Sequence, residues 1–110
     1  MQNITLIRDP GAAAADDSAR DKQITELFNG PFRRILEVHL RNGAVLSRHN
    51  AAEPITVYCI SGNGVFAAGD ELEDRQPLSA GTLLTLEAGI YHEVTADPDL
   101  LLILTKFTSS

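Results

Sequence analysis

Hydrophobic and polar residues alternate along many short stretches of this chain, which is the pattern of half-buried β-strands. Within Phe32–Leu40, Glu37 and His39 each lie between apolar neighbours, so their side chains are expected on the opposite face from those neighbours. The segment Ile55–Ile60 is β-branched and aromatic, as strands usually are. The same pattern predicts further strands at Ala44–Arg48, Val65–Ala68, Leu83–Leu86, His92–Ala96 and Leu100–Phe107.

Turn residues separate these stretches. Asn42-Gly43 is typical of a two-residue hairpin turn, and Ser61–Gly64 and Asp97–Asp99 are predicted to be turns as well. Roughly eight to ten short strands at regular spacing indicate a sandwich or a closed barrel. We expect a jelly roll of two sheets, because that arrangement leaves few bare strand edges.

The segment before the barrel follows a different pattern. Residues 16–18 (Asp-Asp-Ser) are candidate N-caps for a short helix. That helix would place Ile24, Leu27 and Phe28 on one face and would stop at residues 29–31 (Asn-Gly-Pro). Upstream, Met1–Arg8 alternates weakly and is predicted to be a first strand. We therefore expect one domain over 1–110, with this strand and helix in 1–31 and the barrel in 32–107.

Composition narrows the class of protein. A chain of 110 residues, 44% of them hydrophobic, can bury a single core without disulfides. Its net charge of −6 argues against binding to nucleic acid or to an anionic membrane surface. Cys59 is the single cysteine, which fits a reducing cytoplasm. The sequence contains neither a signal peptide pattern nor a run of about 20 apolar residues that could cross a membrane.

Two stretches share their spacing with the conserved motifs of the cupin superfamily, G-x5-H-x-H-x3-E-x6-G and G-x5-P-x-G-x2-H-x3-N. In this chain they read Gly43-x5-His49-x-Ala51-x3-Ile55-x6-Gly62 and Gly81-x5-Glu87-x-Gly89-x2-His92-x3-Ala96. Over residues 32–107 the chain thus resembles a cupin, in particular the small stand-alone bacterial cupins of the conserved-barrel type, many of which have no assigned activity. The resemblance implies an all-β double-stranded β-helix, or jelly-roll barrel.

The resemblance also raises the question of a metal. In metal-binding cupins the first motif supplies two histidines and a glutamate, and the second supplies one more histidine. Here His49 and His92 remain, whereas Ala51 and Ile55 replace the other two ligands. Catalytic zinc and non-haem iron usually have at least three protein ligands, and Glu53 is the nearest further candidate. Binding of a divalent ion (iron, manganese, nickel or zinc) by His49 and His92 is therefore an open alternative. Nothing in the sequence requires a cofactor.

The expected site is a pocket inside the barrel. Alternation and the family pattern together direct six side chains inward: His49, Ala51, Ile55, Val57, Cys59 and His92. A mainly apolar cavity with a few polar groups is the usual form of a small-ligand site, so we expect a small molecule to bind there without a required metal. The alternative is a metal-dependent enzyme of the dioxygenase or isomerase class. No catalytic residue is assigned.

Other chemistry is less well supported. Cupin-fold deoxysugar epimerases use a histidine base without metal, but their tyrosine acid must face the cavity, and here Tyr58 and Tyr91 are expected to face away. Cys59 is interpreted as a small core residue and His39 as a solvated or dimer-facing side chain. The acidic run Asp70–Asp74 lacks the ligand spacing of a calcium loop and is interpreted as a solvated hairpin tip.

The resemblance further implies a homodimer whose sheets pack face to face. Ile55–Ile60 and Leu100–Phe107 are apolar on both faces, which is more than a monomeric sandwich needs. In addition, Met1–Arg8 could add as a strand to a neighbour's sheet. We therefore expect a homodimer that binds a small molecule.

Overall fold

The computed structural model describes residues 3–7 and 20–110. Within those residues all regular structure is β, and no helix is long and apolar enough to cross a membrane. The strands are β1 (Lys22–Gly30), β2 (Arg33–Leu40), β3 (Val45–His49), β4 (Ile55–Ala68), β5 (Asp74–Leu78), β6 (Leu83–Leu86) and β7 (His92–Lys106). Strands β2, β3 and β6 lie within one residue of the boundaries predicted from the alternation.

The two long strands, β4 and β7, pair antiparallel along their length and take part in two sheets. The large sheet has the order β1-β2-β7-β4-β6 and uses the second half of β7 and the first half of β4. The small sheet has the order β3-β7-β4-β5 and uses the remaining halves. Because both sheets share the same two strands, they close into a jelly-roll barrel.

Strands β4 and β7 pass from one sheet to the other at a common corner. The register of their ladder shifts between Cys59 and Ser61 and again between Gly62 and Gly64. Such bulges bend a strand and increase its twist. Gly62 has a φ of +92°, and a Cβ at this position would overlap the backbone carbonyl of Asp99. The corner therefore needs glycine both for its backbone conformation and for the close approach of β7.

This corner corrects two predicted turns. Ser61–Gly64 lies within β4, and Asp97–Asp99 lies within β7, so neither segment reverses the chain. Glycine, proline and aspartate are turn residues, but they also accommodate a bend at a barrel corner. Asn42-Gly43 does form a tight turn, with positive φ at both residues. It is not a hairpin turn, however, because it connects β2 of the large sheet to β3 of the small sheet.

The core lies between the inner faces of the two sheets. In the large sheet, alternate residues of β2, β4 and β7 are buried there, as the period of a strand requires. The small sheet adds apolar residues from the other halves of β4 and β7. The cluster comprises Leu36, Val38, Leu40, Ile55, Val57, Cys59, Phe66, Ala68, Leu78, Val94, Ala96, Leu100, Leu102 and Leu104.

The predicted helix is wrong over Lys22–Gly30, which forms β1 and pairs with β2 from Lys22–Leu40 to Gly30–Arg33. Ile24, Leu27 and Phe28 do not form one buried face, since Ile24 is 55% exposed. Pairing with the neighbouring strand overrides a local spacing that also fits a helical turn. The candidate caps at residues 16–18 lie outside the described residues.

The predicted first strand, Met1–Arg8, is not formed over the part that the structure describes. Residues 3–7 belong to no strand, and Ile4 and Leu6 are exposed. An isolated alternating segment has no partner for its backbone groups, and alternation alone does not supply one. Positions 1, 2 and 8 lie outside the described residues, and strand exchange with a second copy stays a prediction.

Candidate functional site

Two histidines meet at one end of the small sheet. His49 is the last residue of β3 and His92 the first residue of β7, and the antiparallel ladder places them opposite each other. Their ring centroids are 4.2 Å apart, and the ring planes meet at 61°. His92 is only 2% exposed, whereas His49 is exposed. The pair thus extends from the barrel interior to its surface.

Both imidazoles make the same local hydrogen bond. His49 Nδ1 lies 2.7 Å from the carbonyl oxygen of Ser47, and His92 Nδ1 lies 3.1 Å from that of Ile90. A carbonyl only accepts, so each Nδ1 carries the proton in the neutral ring and each Nε2 keeps its lone pair. No hydrogen bond to either Nε2 is formed from residues 3–7 or 20–110. The site therefore presents two nitrogen acceptors.

Burial makes His92 a weak base. Desolvation lowers the pKa of His92 below its ordinary value of 6.5; the charges of His49 and Lys106 lower it further, and the hydrogen bond to Ile90 opposes them. The ring also stacks on Phe66, with centroids 5.5 Å apart and planes within 10°. His92 is accordingly a neutral imidazole near pH 7, and it packs against the Phe66 ring.

The apolar residues predicted for the pocket are packed in the core. Ile55, Val57 and Cys59 are fully buried among core side chains, and Ala51 is half-buried against them. The Cys59 thiol donates to the carbonyl of Ser61 at 3.4 Å, and burial raises its pKa. A protonated thiol of this kind is not an activated nucleophile. Contact between these four residues and a ligand stays a prediction.

A cavity of about 380 Å³ lies next to the histidine end of the barrel. It is lined by Ala68, Gly69, Glu73, Asp74, Thr85, Leu86, Glu87 and Ile90. Two of these residues lead directly to His92: Ala68 is its partner in the β4–β7 ladder, and Ile90 accepts its Nδ1 hydrogen bond. The cavity therefore combines apolar side chains with three carboxylates beside the histidine pair.

This lining was not predicted as a unit. The acidic run Asp70–Asp74 and the residue Glu87, which stands where the cupin motif has proline, are both visible in the sequence. They are separated along the chain, and only the pairing of β4 with both β5 and β6 places them on one opening. The run is a turn after β4, as expected, but it also contributes Glu73 and Asp74 to the cavity.

The donors in the described part of the chain do not make a three-ligand metal centre. Glu53 lines a different cavity, together with Pro54 and residues 107–110. Within 3–7 and 20–110, no group of three or more histidine, cysteine, aspartate or glutamate side chains is placed to hold an ion. Two imidazole nitrogens remain, which is fewer than catalytic zinc or iron usually takes from a protein.

The other titratable residues considered from sequence face elsewhere. Tyr58 is 44% exposed while its neighbours Val57 and Cys59 are buried, as the alternation predicts. His39 is half-buried on the outer face of the large sheet, where its Nδ1 accepts a hydrogen bond from Arg41 at 3.1 Å. Burial and, to a lesser extent, the Arg41 charge lower the pKa of His39. Neither side chain belongs to the histidine pair.

No family model and no curated protein matches this sequence. Solved structures do match. A RmlC-like cupin protein from Desulfovibrio desulfuricans superposes with a TM-score of 0.74 at 17% identity, over 97% of this chain and 96% of that one. KdgF from Halomonas sp. gives 0.69 at 20% identity, over 82% of each chain. Oxalate decarboxylase from Bacillus subtilis, an enzyme with Mn(II) centres, gives 0.74 at 18% identity, over 83% of this chain and 26% of that one.

These likenesses show the fold. Over residues 20–110 the chain has the all-β fold of the cupin double-stranded β-helix, as the motif spacing predicts. At these identities the likeness indicates neither a substrate nor a reaction. Evidence for the function comes from the site of this chain.

Proposed function

We propose that this protein binds a small molecule at the histidine end of its barrel and that binding requires no metal. One observation carries the proposal: His49 and His92 lie with rings 4.2 Å apart, and each has its Nδ1 bonded to a carbonyl. That arrangement leaves two Nε2 acceptors, and a cavity adjoins the start of β7 through Ala68 and Ile90. Sites of this kind, mostly apolar with a few convergent polar groups, are typical of small ligands.

The chemistry of the lining defines the kind of ligand. Two Nε2 atoms that keep their lone pairs favour a hydroxyl or an N–H donor. Ala68, Leu86 and Ile90 provide apolar contact. The Thr85 hydroxyl already donates to the carbonyl of Ile55 at 3.0 Å, so it adds no donor for an anion. The carboxylates in the same lining repel anionic ligands. We therefore infer a small neutral or cationic molecule that carries a hydroxyl or amino group.

The test uses three probes that share one ring: cyclohexanol, cyclohexylammonium and cyclohexanecarboxylate. Amide and imidazole NMR shifts are followed during titration in the presence of a chelator. The alcohol and the ammonium should shift resonances around His92 and Ala68, and the carboxylate should not. His49→Ala and His92→Gln should weaken binding, whereas His39→Gln, a histidine on the outer face, should not. Binding that survives both site substitutions would contradict the proposal.

A metal-dependent enzyme of the dioxygenase or isomerase class is the second candidate. It is favoured by the Nδ1–carbonyl bonds, because metal-ligating histidines usually donate their other nitrogen in this way. Since Ala51 and Ile55 offer no donor atom, two imidazoles would hold the ion, and the remaining ligands would come from solvent or the bound molecule. Elemental analysis of untagged protein tests this candidate. Stoichiometric iron, manganese, nickel or zinc that disappears in both His49→Ala and His92→Ala would replace the metal-free proposal.

We also propose a homodimer. Tyr58 and Leu83 are 44% and 68% exposed, and they are neighbours on the outer face of the large sheet, because Tyr58 pairs with Leu83 in the β4–β6 ladder. Exposed apolar side chains that adjoin each other are more typical of an interface than scattered ones. Light scattering on an eluting peak should give twice the chain mass of 11.9 kDa. A mass equal to that of one chain would contradict the proposed dimer.

A further inference from the structure

Arg48 connects the segments that carry the two histidines. Its guanidinium carbon lies 3.9 Å from the centroid of the Tyr91 ring, and its Nη2 donates to the carbonyl of Asp70 at 2.9 Å. Arg48 immediately precedes His49, and Tyr91 immediately precedes His92. We refer to Arg48, Tyr91 and Asp70 as the Arg48 clasp.

The strand that carries His49 has little other support. Strand β3 has five residues, and among residues 3–7 and 20–110 it pairs only with β7, in a ladder whose register shifts between Leu46 and His49. Its last three residues are exposed. A short edge strand with an interrupted ladder is the kind of element that opens locally at low cost. The backbone pairing alone therefore fixes the position of His49 only weakly.

Tyr91, by contrast, is held by the segment that follows β4. The Gly69 amide donates to the Tyr91 carbonyl at 2.9 Å, and Ala68 is the ladder partner of His92. Tyr91 and Asp70 are thus both fixed to the end of β4. By contacting both, Arg48 ties the weak end of β3 to the well-supported start of β7.

We propose that the Arg48 clasp sets the separation of the two imidazoles and that Arg48 and Tyr91 are positioning residues for the site. Arg48 and His49 are adjacent in β3, so their side chains point to opposite faces, and Tyr91 lies just before β7. Neither Arg48 nor Tyr91 lines the cavity, so both act through the histidines and not on the ligand. The consequence for binding rests on the proposed function, whereas the consequence for ring geometry does not. Loosening the clasp separates the rings and leaves the barrel core unchanged.

The test measures ring separation directly in the ligand-free protein. Wild type should show an NOE between the imidazole protons of His49 and His92, because the rings are 4.2 Å apart. The NOE should be lost or strongly weakened in Arg48→Met and in Tyr91→Leu. Tyr91→Phe should restore it, because phenylalanine keeps the ring face that the guanidinium contacts. Urea unfolding midpoints should stay close to wild type, since Arg48 is exposed and neither Arg48 nor Tyr91 belongs to the core cluster.

The chain offers a matched control. Arg33 lies 4.6 Å from the centroid of the Phe28 ring, at the hairpin between β1 and β2. Arg33→Met removes a contact of the same kind from a different part of the molecule, so it should leave the NOE unchanged. An NOE of wild-type intensity in both Arg48→Met and Tyr91→Leu would overturn the proposal, and so would equal loss in Arg33→Met.

Binding provides the second readout. Affinity for cyclohexanol should fall by about two- to fivefold in Arg48→Met, the range that corresponds to one exposed cation–π contact. Unchanged affinity beside a lost NOE would overturn the link between ring separation and binding. Failure of all three ring probes to bind wild type would count against the proposed function alone, because the NOE is measured without ligand.

Discussion

The two halves of the β4–β7 ladder direct different side chains into the same barrel. In the large sheet, Val57 and Cys59 are fully buried opposite Leu104 and Leu102. In the small sheet, β4 ends at Ala68 opposite His92, the first residue of β7. His92 lies beside the exposed His49 and an adjoining cavity. A buried imidazole costs solvation energy that a buried leucine does not. The large-sheet half thus supplies core residues, whereas the small-sheet half supplies core residues and also carries the histidine pair, where chemistry can occur.

The largest expected effect is a difference in the free energy of unfolding between substitutions in the two halves. Ile55 is buried in the core and His49 is exposed, although both were predicted for one pocket. Ile55→Ala should lower the free energy of unfolding by about 2–5 kcal/mol, through lost burial and the cavity left behind. His49→Ala should change it by no more than about 0.5 kcal/mol. Urea unfolding of both variants checks this. A loss of unfolding free energy in His49→Ala as large as that in Ile55→Ala would show that the two halves do not differ in this way.

A smaller effect on the free energy of unfolding is expected at the corner between the halves, where Gly62 can be compared with Gly81. Gly62 and Gly81 have similar φ angles, +92° and +90°, but a Cβ at Gly81 would meet nothing within 4 Å. Gly81→Ala should cost about 1–2 kcal/mol for the left-handed conformation alone. Gly62→Ala should cost more, because its Cβ also meets the Asp99 carbonyl. Equal unfolding free energies for the two variants would show that β7 does not approach β4 closely at this corner.

The smallest effect concerns pH, and the histidine half contributes to it through His92. Burial holds the folded pKa of His92 below 6.5, so the unfolded chain binds this proton more tightly. The associated stability is complete above about pH 6.5 and decreases as the pH falls through that value towards the folded pKa. His92→Gln should flatten this part of the curve when unfolding is measured between about pH 5 and 8. His39→Gln should flatten the curve as well, because burial also lowers the pKa of His39 in the large sheet, so the His92 contribution is the slope that is lost in His92→Gln alone.

Much of the fold was predictable because strand alternation and motif spacing are local properties. Strand β6 was predicted at its observed bounds, and the cupin fold followed from the spacing of the glycines and the two histidines. The corners in β4 and β7 were not, since a turn and a bend use the same residues. Strand β1 was also missed, because its pairing with β2 is decided by tertiary structure.

The site was predictable only in part, for a related reason. The family pattern places Ile55 inward, and Ile55 is buried, but the pattern does not tell whether an inward residue faces packed core or open cavity. The lining of the cavity combines residues from β4, β5, β6 and the loop before β7. Their proximity depends on which strands pair, and that information is not contained in any one segment.

The most direct test of the central claim is a long-range ¹H–¹⁵N correlation spectrum of the imidazole rings, recorded near neutral pH with a chelator present. The account predicts that the neutral forms of His49 and His92 both carry their proton on Nδ1 and that Nε2 resonances shift when cyclohexanol is added. Nε2-protonated rings, or Nε2 resonances that none of the three ring probes shifts, would contradict it.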